Sequence, residues 1–185
     1  MWYPSTVTVA PLVEPVTLAE AQAQCYAAHA DFTPTLLRLI KAARSEAERY
    51  CNAVWAEQTI ASPCDDFCDL ARLPHGPLKS VTSITYTDPA GDPQTVAAAS
   101  LDVRKDGLEP SIVAAHGHVW PRIMFGSRIT LTAVYGGEVP ETVQHAMLMM
   151  IAHWFSNREA VVTGTIATTI PLGVDTLLCN DRRGA

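Results

Sequence analysis

The sequence predicts an α+β fold: a small helical core of three main helices plus a short C-terminal helix, with an antiparallel β insertion between the second and third helices. Three observations predict it. An apolar stripe at helical spacing runs through residues 34–51. A second helical stretch, apolar on two sides, occupies residues 140–159. Between them, from Gln58 to Tyr135, prolines, glycines and β-branched residues gather into short alternating runs.

Taken in chain order, residues 1–16 read as an extended N-terminal arm, because Pro4, Pro11 and Pro15 with alternating Thr and Val disfavour helix. Thr17-Leu18-Ala19-Glu20 is a capping box, in which hydroxyl and carboxylate satisfy each other's backbone amides. It opens a helix over about 18–28. Thr33 then suits an N-cap and Pro34 the first helical position, so a long helix is expected over 34–51. Its apolar stripe is Leu36, Ile40, Ala43, Ala47 and Tyr50, with Arg44 and Glu48 four apart on another face.

In the insertion, about 58–136, Val81–Thr87 reads as a strand, Asp88–Pro93 as a turn and Gln94–Val96 as the returning hairpin partner. Ile129, Leu131, Ala133 and Tyr135 alternate with polar or smaller residues and predict a half-buried strand ended by Gly136-Gly137. The helix from Pro140 carries Val143, Met147, Met150 and Trp154 on one stripe and Leu148, Ile151 and Phe155 on another. Such a helix is either central to its core or shared with a neighbouring subunit. The first domain reading is therefore an arm (1–16), one domain (17–160) and a C-terminal linker and segment (161–185). Val161–Thr169 is rich in Thr, Ala and Val and reads as a linker or an edge segment, and residues 171–178 as one or two helical turns. Leu36, Ile40, Ala43, Ala47, Met147, Ile151 and Trp154 are the expected core.

The totals restrict function. Of 185 residues 48% are apolar and 17% charged, enough to bury a core. The net charge of -6 is the wrong sign for gripping duplex DNA, whose affinity comes from Lys and Arg on phosphates. An acidic subunit around DNA repels the backbone and lets it slide. No run of about 18 apolar residues predicts a membrane span. The N-terminus lacks the basic and apolar regions of a secretory signal. Five cysteines, an odd number and widely spaced, read as reduced thiols of a cytoplasm.

Candidate chemistry is sparse. Cys64 and Cys68 lie four apart, with His75, His116 and His118 downstream. Zinc takes four N or S ligands, so Cys64 and Cys68 with His116 and His118 define an alternative reading, a metal-dependent hydrolase. The spacing matches no finger or ribbon, and the plainer reading is loop thiols and surface imidazoles. His145 and His153 lack the spacing that puts two ligands on one helix face. Asp65, Asp66 and Asp69 fail as a calcium loop, because its sixth and twelfth positions would be Leu70 and Gly76. No nucleophile elbow, phosphate loop or dinucleotide fingerprint is present. The expectation is no catalytic residue, no metal and no cofactor. Trp120-Pro121 reads equally as an interface anchor or a local plug.

The motifs gain meaning in order. They are Pro15–Gln22, Glu48–Asn52, Leu73–Tyr86, Trp120-Pro121 before Ile129–Gly137, Val139–Glu141, Ala152–Glu159 and Ile170–Leu178. Over residues 15–179 this succession resembles the head–tail connector (adaptor) proteins of tailed bacteriophages, prophages and gene transfer agents. The resemblance implies a structural virion protein of the neck at the portal vertex, assembled in the host cytoplasm. It implies a ring of about a dozen subunits with head-to-tail contacts. Implied partners are the portal protein and stopper or tail-completion proteins, with DNA as sliding cargo and no membrane. Another neck or tail-completion protein is a further alternative. Trp154, Phe155, Arg158, Ile170, Leu172, Val174, Leu177 and Leu178 are the expected subunit or partner interface. Ile170–Leu178 is expected to dock into a partner's groove; the alternative is that it packs back on its own core.

Overall fold

The structure is a computed structural model that describes residues 1–157 and 172–184. It is α+β, as expected, and divides into two compact units: Met1–Leu12 with Glu57–Gly137, and Val13–Ala56 with Glu138–Ala185.

The helical unit holds α1 (Leu18–Cys25), α2 (Thr33–Cys51), α3 (Glu141–Ser156) and α4 (Leu172–Leu178). The capping box forms: Glu20 N donates to Thr17 Oγ1 at 3.2 Å and Thr17 N to Glu20 Oε2 at 2.7 Å. α1 ends earlier than expected because Tyr26 turns left-handed (φ 51) and its amide folds back to Ala23. Thr33 is not the cap of α2. A 3-10 turn, Ala30–Phe32, feeds straight into the helix, so Phe32 stands at the cap position without a side-chain bond and Pro34 lies in the first turn.

Leu36, Ile40, Ala43 and Ala47 are buried as the stripe requires, and Cys51 rather than Tyr50 completes it. Arg44 holds Glu14 at 2.7 Å and Glu48 at 2.9 Å. The other Glu48 oxygen accepts the amides of Trp55 and Ala56 and so shapes the chain's exit from α2. α3 packs against α1, α2 and α4, which explains its two apolar sides: it is the central helix of its unit. Met147 and Ile151 are buried; Trp154, expected in the core, is half-buried.

The β unit contains a five-stranded antiparallel sheet ordered β1-β2-β7-β3-β4 and a separate hairpin of β5 and β6. Its strands are β1 (Thr6–Val9), β2 (Gln58–Cys64), β3 (Leu78–Thr87), β4 (Pro93–Thr95), β5 (Leu101–Arg104), β6 (Ser111–Ala114) and β7 (Ile129–Tyr135). β7 is the middle strand, and its inward residues Ile129, Leu131, Ala133 and Tyr135 are fully buried. The Asp88 carboxylate accepts the Ala90 and Asp92 amides and closes the β3–β4 turn, where Gly91 takes φ 96.

The N-terminal residues correct the first domain reading. They are extended, as the prolines require, but they form no free arm: β1 pairs with β2, and Met1–Leu12 belongs to the β unit. Tyr3 N donates to Pro63 O at 2.9 Å, Trp2 Nε1 to Arg72 O at 2.9 Å, and the Ser5 and Ser62 hydroxyls lie 2.8 Å apart. The reason is unmet hydrogen bonding along β2. Without β1 its outer backbone groups and the buried Ser62 hydroxyl would lack these partners.

Candidate assembly surfaces

The eight residues expected at an interface separate into three groups. Arg158 and Ile170 lie outside the described residues, as does the side chain of Leu172. Val174 and Leu178 are 2% and 1% exposed. They sit on α4, which packs against α3 and α2 of its own unit. For these two residues the geometry is that of self-packing, and a partner reaches them only if α4 lifts away. Trp154, Phe155 and Leu177 are half-buried. The Phe155 ring meets Phe32 edge-on at 5.3 Å, leaving an aromatic pair at the joint between the start of α2 and the end of α3.

The tail after α4 is also tied down. Arg183 N donates to Cys51 O at 2.7 Å, Thr142 Oγ1 to Asp181 Oδ2 at 2.6 Å, and the Arg182 guanidinium lies over the Tyr50 ring at 5.8 Å. Val174 and Leu178 of α4 therefore cover the edge of the core formed by α2 and α3.

The Cys and His residues do not assemble into a metal centre: among the described residues no three His, Cys, Asp or Glu side chains are placed to hold an ion. Burial, with the Asp69 charge adding to it, pushes the Cys64 thiol up to about 12, far from a ready thiolate. Cys68 is exposed, and the neighbouring Asp66 carboxylate raises its pKa as well. His116 and His118 are exposed on the loop after β6, while His75 Nε2 lies 2.9 Å from Ser5 Oγ. Asp65, Asp66 and Asp69 have local structural work. Asp66 and Asp69 cap the 3-10 turn Phe67–Ala71, and Asp65 accepts from the Tyr3 hydroxyl at 2.9 Å. Burial opposes the Asp69 charge, but bonds from the N-terminal ammonium and the Asp66 amide hold its pKa below the ordinary value.

Trp120 is a local plug: its ring stacks on Phe67 at 4.7 Å, with 3° between the planes. The loop it anchors leaves Val119 and Phe125 almost fully exposed. A shallow cavity of about 430 Å³ lies beside that loop, lined by Tyr3, Asp65 and residues 123–128, with the Arg128 guanidinium 3.7 Å from the centre of the Tyr3 ring.

The surface that the sequence reading missed is β1. All four of its residues are exposed, with Val7 at 50% and Val9 at 53%. The signal was present in the sequence: residues 2–13 carry no charge in a chain that is 17% charged.

No family model matches the chain, and no curated protein matches it. Solved structures do. A chain in the neck of an empty gene transfer agent (GTA) particle computed with C6 symmetry has TM-score 0.79 and 21% identity, covering 99% of this chain and 97% of that one. A chain in the virion of a native GTA particle has TM-score 0.74 and 21% identity, over 96% of each. A chain in the neck of a native GTA particle computed with C12 symmetry has TM-score 0.70 and 20% identity, again over 96% of each. Over nearly its whole length, this chain therefore has the fold of chains found in GTA necks.

Proposed function

We propose that the chain is a structural subunit of the neck of a tailed-phage-like particle, a head–tail connector (adaptor) that forms a ring on the portal. The observation that carries this reading is the near-complete fold likeness to neck chains in both directions. The order of motifs over residues 15–179 points the same way. The ring would hold about a dozen copies joined head to tail, extend the DNA channel and offer the next surface to stopper or tail-completion proteins. The net charge of -6 suits a channel wall along which a duplex slides.

The test is electron microscopy of the chain mixed with portal rings from the same particle. The expected result is an added ring, coaxial with the portal. A mixture in which portals stay bare at saturating chain concentration overturns the reading.

A further inference from the structure

The β unit presents one aromatic side chain on a fixed turn. Trp120, stacked on Phe67, anchors the loop between β6 and β7, and Met124 N donates to Thr87 O at 2.9 Å. Ser127 N then donates to Met124 O at 3.0 Å and Ser127 Oγ to the same oxygen at 2.8 Å. These bonds close a four-residue turn whose third residue, Gly126, takes φ 77, a conformation that favours glycine there. Phe125 is the second residue of the turn and is 102% exposed. Val119, Met124, Arg122 and Arg128 of the same loop are exposed too. Aromatic, Met and Arg side chains are the ones that protein interfaces concentrate. A loop already held in shape loses little freedom on docking.

The loop is also unlike the rest of the chain in charge. Residues 110–137 carry Arg122 and Arg128 and no Asp or Glu, in a chain of net charge -6. Asp65, the carboxylate beside the loop, accepts from the Tyr3 hydroxyl at 2.9 Å and lies 3.5 Å from the N-terminal ammonium. The surface that complements this loop is acidic where it meets the arginines and apolar where it meets Phe125.

The helical unit has a surface of that kind. Residues 13–37 carry Glu14, Glu20 and Asp31 and no Lys or Arg. Glu14 is taken by Arg44, but Glu20 is exposed and the Asp31 side chain, beside the His29 ring, is 83% exposed. Tyr26, at the end of α1, is 98% exposed and takes the left-handed φ 51, a position that ordinarily falls to Gly or Asn. Such strain persists where something offsets it, and a side chain this open touches almost nothing in its own chain.

We infer that the Phe125 loop of one copy docks on the Tyr26–Asp31 surface of a second copy. Phe125 and Tyr26 leave water together, and the loop arginines face the carboxylates of residues 20–31. Two acidic copies repel over most of their surfaces, and this pairing sets opposite charges against each other. The two surfaces are different parts of the chain, so the contact is head-to-tail, the kind that closes rings. The inference rests on the ring reading only for closure.

The experiment is native mass spectrometry of the full chain over a range of concentrations. The wild type should form oligomers, and Phe125→Ser and Tyr26→Gly should each raise the concentration needed by about tenfold or more. Tyr26→Gly should melt at or above the wild-type temperature, because glycine adopts φ 51 without strain; a lost contact is thereby told from a lost fold. An equimolar mixture of the two variants should form pairs only, because one intact loop then meets one intact acceptor. Arg122→Glu should weaken association, and added salt should weaken it in the wild type. Oligomers that both variants form as readily as the wild type overturn this contact and leave the ring reading standing. A chain that stays monomeric at every concentration also overturns it, with the ring then judged on portals. A short DNA duplex bound by the wild type and not by Arg122→Glu, with the oligomers of both unchanged, overturns it in favour of nucleic acid at the loop. Pairing as expected, with portals left bare, overturns the ring reading alone.

Discussion

The backbone amide of Arg183 donates to the carbonyl of Cys51 at 2.7 Å, closing the C-terminal tail over the end of α2. Arg183 is 5% exposed, and Leu178, whose carbonyl lies 3.8 Å from the Cys51 sulfur, is 1% exposed. Truncation after Thr169 should therefore lower the melting temperature of the isolated chain clearly. Leu178→Ala should cost about 2–5 kcal/mol in chemical denaturation, from lost burial and the cavity left behind. A truncated chain that melts like the full one would support Ile170–Leu178 as an independent docking element.

Gly76 is a second point of close approach. A Cβ at this position would stand 2.2 Å from the carbonyl oxygen of Leu108. The obstruction is backbone, which cannot swing aside as a side chain does. Gly76→Ala should destabilise the β unit by about 1–3 kcal/mol, as overpacking does. Gly107→Ala, where a Cβ meets nothing within 4 Å, isolates the cost of the left-handed backbone (φ 55). Equal melting of Gly76→Ala and wild type would refute the contact.

The thiols should differ in reactivity and in pH dependence. Burial pushes Cys51 up to about 11 and Cys64 up to about 12. The folded chain favours both protonated thiols. Their contribution to stability is whole below the ordinary value of 9.0 and is lost as pH rises through about 11 and about 12. Denaturation midpoints should decline from pH 9 upward, and less steeply in Cys51→Ala when each variant is referred to its own value at pH 7. At neutral pH a thiol reagent should modify the exposed Cys68 and Cys179 first, and Cys51 and Cys64 only on unfolding. Mass spectrometry of the labelled native chain reads this directly.

The capping box of α1 should respond to acid. The Thr17 hydroxyl and Thr17 amide both donate to Glu20 and hold its carboxyl below the ordinary value of 4.5. The stability this adds is present above that value and is lost as pH falls through the lower folded value. Thr17→Ala should cost about 1 kcal/mol at pH 7, and the difference from wild type should shrink on acidification. A pH-independent difference would show that the carboxylate contributes nothing to the cap.

Much of the helical unit was legible in the sequence because helical spacing is a local signal. Leu36, Ile40, Ala43 and Ala47 declare one face by their separations alone, and Thr17 with Glu20 declares a helix start four residues long. The β7 alternation and the Asp88 turn were legible for the same reason. β2 was not, because two of its inward positions are Gln58 and Ser62. Polar residues there break the alternation a reader looks for. Ser62 is tolerable only because Ser5, 57 residues away, supplies a partner.

By itself the sequence determined the helices, the β3–β4 hairpin and β7, the α+β class and an order of motifs that resembles a connector. Only the tertiary structure decided the fate of the two ends. It placed residues 1–12 in the β unit, with Thr6–Val9 as a strand of its sheet, and packed Val174 and Leu178 of α4 against the core of its own unit. The physical reason is that both depend on long-range partners. A strand's exposed backbone is satisfied by whichever segment reaches it, and an apolar face is buried by whichever surface is nearest. Neither choice is written in the local spacing of residues.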